Sequence, residues 1–255
     1  MSVKFKVEDL LEAGVHFGHQ THRWHPKMQP FIFTSKKNIH IIDLYKTEKR
    51  LQEALDFVET LKKKGGNVLY VGTKRQAAPI IEEYATMAKM PYVNKRWPGG
   101  LLTNFKTLGQ RIEYFRKLEE ESKKPEFSGL TKKERLMLER KLARGKELFA
   151  GVLQMTKVPE AVFVIDIIKE KIAVLEARRL GIPVIAIVDT NTNPDLITYP
   201  IPANDDALSS IGLITKLITE AISPKGKPSA VDVTKKVKSE PKKEAKPKKA
   251  AKAAE

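Results

Sequence analysis

Ala161-Val162-Phe163-Val164-Ile165-Asp166 and Pro183-Val184-Ile185-Ala186-Ile187-Val188-Asp189 are two apolar runs with one helix-length segment between them. Neither run alternates with polar residues, which fits strands covered by helices on both faces. The intervening segment, Lys169 to Leu180, has helical spacing and stops at Gly181. Strand, helix and strand in that order predict a parallel crossover.

The same alternation runs toward both termini. Val68-Leu69-Tyr70-Val71-Gly72 is another apolar strand, and Gly72-Thr73-Lys74-Arg75 turns into a helix carrying Ile80, Ile81, Tyr84 and Met87. Tyr92-Val93 is a weaker strand. Ile39-His40-Ile41-Ile42-Asp43-Leu44 is a β-branched run ahead of a helix from Tyr45 to about Lys64, which buries Leu51, Leu55, Val58 and Leu61 and ends at Gly65-Gly66. Asp205-Asp206 are expected to start a last helix through Leu208, Ile211, Ile214, Leu217 and Ile218, the acids suiting its positive N-terminal end. The expected class is α/β, with a mostly parallel, doubly wound sheet.

Residues 102–152 interrupt this pattern. Phe105, Leu108, Ile112, Phe115 and Leu118 repeat at three- and four-residue steps, as do Leu138, Leu142, Gly145, Phe149 and Val152. The turn-rich Ser122 to Gly129 lies between them, and Thr131-Lys132-Lys133-Glu134 has capping-box spacing. Two antiparallel helices forming a protruding hairpin are expected, giving an α/β domain of 1–101 with 153–222, an insertion of 102–152 and a basic tail of 223–255. That tail, rich in Lys, Ala, Pro and Glu, is expected to be disordered.

With 47 Lys+Arg against 31 Asp+Glu, the net charge is +16. Residues 223–255 hold eleven Lys and four acids, or +7, so the body keeps +9 by difference. The surplus points to a polyanionic partner. No run of about 18 apolar residues exists to span a bilayer, and zero Cys excludes disulfides, thiolate metal sites and thiol catalysis. Met1 to Lys6 leads into an amphipathic helix, Val7 to Ala13, without a signal or transit pattern, so a cytoplasmic protein is expected.

Cations beside aromatics make the RNA-binding candidates: Arg23, Trp24, Lys27, Lys36 and Lys37 in one segment, and Lys95, Arg96 and Trp97 in another. Lys74 and Arg75 sit where a strand opens into a helix, a geometry that receives phosphate. Lys106 and Arg111 extend the set onto the first hairpin helix. Trp24 packed on a sheet edge and Trp97 anchoring the insertion are the alternative readings of the two indoles. Thr103 or Asn104 can cap that helix.

His16, His19, His22 and His25 recur every three residues, a spacing that raises a metal site. Gly14, Gly18 and Pro26 break the helix that would align them, so a metal would need carboxylates from elsewhere, such as Asp189 or Asp206; the expectation is no cofactor and no metal. Asp166 and Asp189 end strands where α/β enzymes place catalytic acids. No nucleotide loop or nucleophile elbow accompanies them, so capping and turn roles are favoured for Asp166, Asp189, Asp205 and Asp206, and no catalytic residue is expected.

Ala13-Gly14-Val15-His16-Phe17-Gly18-His19-Gln20-Thr21, Trp24-x-Pro26-Lys27-Met28, Ile39 to Leu44, Val71-Gly72-Thr73-Lys74, Trp97-x-Gly99-Gly100-x-Leu102-Thr103-Asn104, Val188-Asp189-Thr190-Asn191 and Ile201-Pro202-x-Asn204-Asp205-Asp206-Ala207 together resemble the ribosomal protein S2 family over roughly residues 5 to 222. The resemblance implies a flavodoxin-like sheet with a coiled-coil hairpin and a place in the small ribosomal subunit where head meets body. It also implies small-subunit rRNA and neighbouring subunit proteins, including the large first protein, as partners, with no membrane and no small-molecule substrate. The hairpin and the lack of a transit peptide imply a bacterial source. His22, His25, Pro98 and Ala203 depart from the family pattern, and at Ala203 a glycine is expected with positive φ. The rival from another class is a phosphosugar or nucleotide enzyme using Lys74, Asp166 and Asp189. A third reading is a protein-docking scaffold whose charge serves solubility.

Overall fold

The computed structural model describes residues 3–122 and 131–223. In chain order the elements are α1 (Val7–Glu12), β1 (Phe17–Gln20), β2 (Ile32–Lys36), β3 (Ile39–Ile42), α2 (Leu44–Lys63), β4 (Val68–Val71), α3 (Ala77–Ala88), β5 (Tyr92–Val93), α4 (Phe105–Ser122), α5 (Lys132–Phe149), β6 (Ala161–Ile165), α6 (Lys171–Arg179), β7 (Val184–Val188), β8 (Tyr199–Pro202) and α7 (Leu208–Ile222). The proposed tail, except Ser223, and most of the linker after Ser122 lie outside the described residues.

Five strands form one parallel sheet in the order β5-β4-β6-β7-β8. Successive side chains on a strand point to opposite faces, and both faces here are apolar. Val68 and Tyr70, Ala161, Phe163 and Ile165, and Ile185 and Ile187 point to one side, where Leu51, Leu55, Ile80, Ile81, Ile211 and Ile218 of α2, α3 and α7 cover them. Leu69, Val71, Val162, Val164, Ala186 and Val188 point to the other, against α6, Trp97, Leu101, Leu102 and the bases of α4 and α5.

Three findings correct the sequence reading. Ile39–Ile42 pairs antiparallel with β1 and β2 in a separate three-stranded sheet, because its partners are the neighbouring segments and not a crossover strand. Leu44 opens α2 and does not close a strand, since the Asp43 carboxylate accepts from the backbone N–H of Tyr45 and Lys46 as an N-cap. Asp205 and Asp206 lie ahead of α7 without capping it; the side-chain amide oxygen (Oδ1) of Asn204 accepts from the N–H groups of Asp206 and Ala207, and α7 starts at Leu208. β8 had no strand signal because Pro200 and Pro202 interrupt it, which a sheet tolerates at an edge. Ala203 is buried and is absent from the positive-φ residues, so alanine there carries no strain among the described residues.

α4 and α5 touch where the Phe115 ring lies against Gly145, a position at which any Cβ would collide with the ring. The Thr131–Glu134 capping box forms at the start of α5. Beyond α5, Gly151 packs on Tyr92 of the edge strand β5, and a methyl group there would meet the Tyr92 carbonyl oxygen. Gly151→Ala is therefore expected to cost about 1–3 kcal/mol through overpacking. Denaturant unfolding checks this, with the larger loss expected at Gly151 than at the open Gly109, where nothing lies within 4 Å of an added Cβ.

Candidate functional site

The carboxyl ends of the parallel strands gather most of the singled-out residues. Thr190, just beyond β7, ties the 14–28 segment down: its hydroxyl accepts from the His19 N–H at 2.9 Å and its carbonyl from the His25 N–H at 2.8 Å. Gly18 makes this approach possible, since a Cβ there would stand 2.6 Å from the Thr190 methyl. His19 is thereby held above the sheet edge.

There His19 Nδ1 lies 3.0 Å from Asp189 Oδ2 and Nε2 lies 3.5 Å from Asp206 Oδ2. Lys74 Nζ meets Asp206 at 2.7 Å, Asp205 at 2.8 Å and Asp166 at 3.5 Å. Asp166, Asp189, Asp205 and Asp206 thus face one ammonium and one imidazole. Burial, then repulsion from Asp189, pushes the Asp205 pKa up to about 7 against the pull of Lys74. The Asp189 hydrogen bond raises the His19 pKa above its ordinary value despite partial burial. Burial works to lower the Lys74 pKa, but its aspartate partners outweigh it and the value is raised. Ligand atoms of His19, Asp205 and Asp206 lie within 4.8 Å of one another, a nitrogen and oxygen donor set of the kind that takes a divalent cation.

The four N-terminal histidines do not converge. His25 Nδ1 accepts from the Lys27 N–H, His16 Nδ1 is buried without a hydrogen-bond partner, and His22 is exposed. The capping roles expected of the aspartates hold in part: Asp166 accepts from the Lys169 N–H and Asp189 from the Thr190 N–H, but both also face the cluster.

A second carboxylate organises the 97–103 loop. Glu176 accepts from Trp97 Nε1 at 3.0 Å, from the N–H groups of Gly100, Leu102 and Thr103 at 2.7, 3.1 and 3.1 Å, and from the Thr103 hydroxyl at 3.1 Å. Burial alone would raise its pKa, yet these donors outweigh burial and hold it lowered. Trp97, 8% exposed, is an anchor for the loop, and the Thr103 hydroxyl is committed to Glu176.

The remaining candidates face solvent. Arg23, Lys36, Lys37, Arg75, Lys95, Arg96, Lys106 and Arg111 are exposed and form no ion pair among the described residues. Lys27 pairs with Asp195, and Trp24 is 39% exposed with its ring tilted against His40. Arg75 follows β4, Lys95 and Arg96 follow β5, and Arg23 belongs to the segment tied to Thr190 after β7, so three loops carry cations at the same end of the sheet. Glu176 and Thr190 were missed as functional positions in the sequence. The available signal for Glu176 was a lone acid among Ala173, Val174 and Ala177.

Residues 10–224 match the family model described as Ribosomal protein S2. The chain belongs to the ribosomal protein S2 family. Among curated relatives, the small ribosomal subunit protein uS2 of Bifidobacterium longum (strain DJO10A) is 50% identical over 218 residues, covering 85% of this chain and 78% of the relative. That of Helicobacter hepaticus is 52% identical over 216 residues, covering 85% and 82%. That of Rhizobium leguminosarum bv. trifolii is 53% identical over 217 residues, covering 85% of both. The S2-family chain is thus a ribosomal protein with a structural role in translation and not an enzyme. No helix among the described residues is long and apolar enough to cross a membrane.

Proposed function

We propose that this chain is a constituent of the small ribosomal subunit in the cytoplasm that binds small-subunit rRNA near the junction of head and body and helps dock the large first protein. The observation carrying the reading is the set of exposed cations on loops at the carboxyl end of the sheet, Arg23, Arg75, Lys95 and Arg96, without ion-pair partners among the described residues, in a chain of the S2 family. Arg23, Lys36, Lys37, Arg75, Lys95, Arg96, Lys106 and Arg111 neutralise phosphates, with Lys27 and Trp24 beside them. Lys74 and Trp97 serve from inside, holding the loops that carry Arg75 and Arg96.

The strand order supports a doubly wound, flavodoxin-like reading. Numbered within the sheet, it is 2-1-3-4-5, with the switch point between β4 and β6, where Lys74 meets Asp166. The Phe115–Gly145 contact supports an antiparallel coiled-coil hairpin for 102–152, inserted into a domain of 1–101 with 153–222. Protein docking finds support on α6, which buries Ala173, Val174, Glu176 and Ala177 and turns Ile172 and Leu175 outward at 59% and 47% exposure, with Ile168 and Leu180 beside them at 56% and 46%. Such an aliphatic stripe suits a partner protein.

Co-sedimentation of tagged protein with small ribosomal subunits tests the whole reading. Arg96→Ala is expected to weaken rRNA binding with no change in the melting temperature, flattening the log–log salt dependence by about one unit. Lys74→Ala is expected to reduce incorporation as well, but with a lower melting temperature. Unchanged occupancy in both variants, or no association of the unaltered protein with subunits, overturns the proposal.

A further inference from the structure

The small antiparallel sheet carries a feature that cation neutralisation leaves unused. Along β2 and β3, Ile32 stands opposite Ile42 and Thr34 opposite Ile41, so two steps on one strand match a single step on the other. Phe33 is the extra residue of a β-bulge, a device that re-aims a side chain out of the regular ladder. It is 74% exposed, exceeded among large apolar side chains of the described residues only by Tyr45 at 77%.

Its surroundings distinguish it from the α6 stripe. Thr34, Ser35 and Lys36 follow it, all exposed, and residues 31–42 contain no carboxylate. The hairpin turns through Lys37 and Asn38 with φ of +52° and +61°, the backbone of a tight type I′ turn. Lys36 and Lys37 therefore stand at the hairpin tip without an ion-pair partner among the described residues, and Lys36 is about 10 Å along the strand from Phe33. An exposed phenyl ring followed along its strand by hydroxyls and two ammonium groups suits a nucleotide, whose base stacks while its phosphate meets a cation.

We propose that Phe33 is a stacking platform for one unpaired RNA base, with Lys36 and Lys37 holding the adjoining phosphates. The proposal rests on the RNA-binding reading above and adds a contact that cations do not supply. A phenyl ring offers no hydrogen-bond donor, so the contact tolerates any base.

The test uses the full-length protein and a fluorescently labelled single-stranded uridine dodecamer, with affinity measured across a salt series. Phe33→Leu is expected to weaken binding about tenfold, within the range for loss of one stacked base, and to leave the salt slope unchanged. Phe33→Tyr, which keeps the ring, is expected to bind as the unaltered protein does. The double variant Lys36→Ala, Lys37→Ala is expected to flatten the slope. Ultraviolet cross-linking to the dodecamer should label the peptide containing Phe33. If Phe33→Leu binds like the unaltered protein while the lysine variant binds more weakly, stacking is refuted and RNA binding stands. Should the unaltered protein bind neither the dodecamer nor small subunits, both fail together. Unchanged RNA affinity with weakened capture of a neighbouring subunit protein assigns Phe33 to a protein contact and likewise refutes stacking.

Discussion

Glu176→Ala is expected to destabilise the fold by about 3–5 kcal/mol, because it breaks two buried and three part-buried hydrogen bonds at once. Five hydrogen bonds converge on this one carboxylate, from Trp97, Gly100, Leu102 and twice from Thr103. Each donor left without a partner in a buried setting costs about 1–3 kcal/mol, and partial entry of water keeps the sum below five separate penalties. For a domain of this size the loss corresponds to roughly 10 °C in melting temperature. Glu176→Gln retains one carbonyl acceptor and should lose less. The sign with pH follows from its lowered pKa: the contribution is present above the unfolded value and is lost as pH falls through the folded one. Thermal scans at pH 7 and pH 4 check both parts. A loss under about 1 kcal/mol at pH 7 would mean that packing around Trp97 holds the loop without the carboxylate.

The carboxylate cluster produces the second large effect, with the opposite dependence on pH. Asp205 binds its proton more tightly when folded, its pKa rising from the ordinary 3.8 to about 7. Stability therefore falls as pH climbs through that interval and levels off above it. His19, raised from its ordinary 6.5, adds to the trend: its stabilisation is full below the unfolded value and disappears as pH rises through the folded one. In a chelating buffer, the domain is expected to be less stable at pH 8 than at pH 5 by on the order of 2–4 kcal/mol. Asp205→Asn removes the main titrating group while leaving Lys74 its contacts to Asp206 and Asp166, so it should flatten the profile and raise the melting temperature at pH 8. Equal melting temperatures at the two pH values in the unaltered protein would refute the account.

Much of the fold was legible because its strands are buried on both faces and its helices keep one apolar stripe. β4, β6 and β7 appear in the sequence as unbroken apolar runs, and α2 and α7 as three- and four-residue repeats. β1, β2 and β8 were not legible: they are short, exposed or interrupted by proline, so neither burial nor periodicity marks them. α6 misleads in the other direction, since its bulky aliphatics face outward and its small residues face the sheet.

The candidate site divides along similar lines. The excess of Lys and Arg, and their grouping after strands, are properties of composition and order that any reader of the chain recovers. Whether a given cation is free to meet phosphate is not. Lys74 and Arg75 are neighbours in the chain, yet Lys74 is surrounded by three aspartates and Arg75 faces water.

By itself, then, the sequence determined the α/β alternation, the interrupting pair of helices, the positive surplus and, through its ordered motifs, the family. Tertiary structure alone decided which charges cancel, which tryptophan is buried and which aromatic is set out into solvent. The physical reason is range. Periodicity is a local consequence of backbone geometry, but the 131 residues separating Lys74 from Asp205 are brought within 2.8 Å only by the order in which strands cross over and pack.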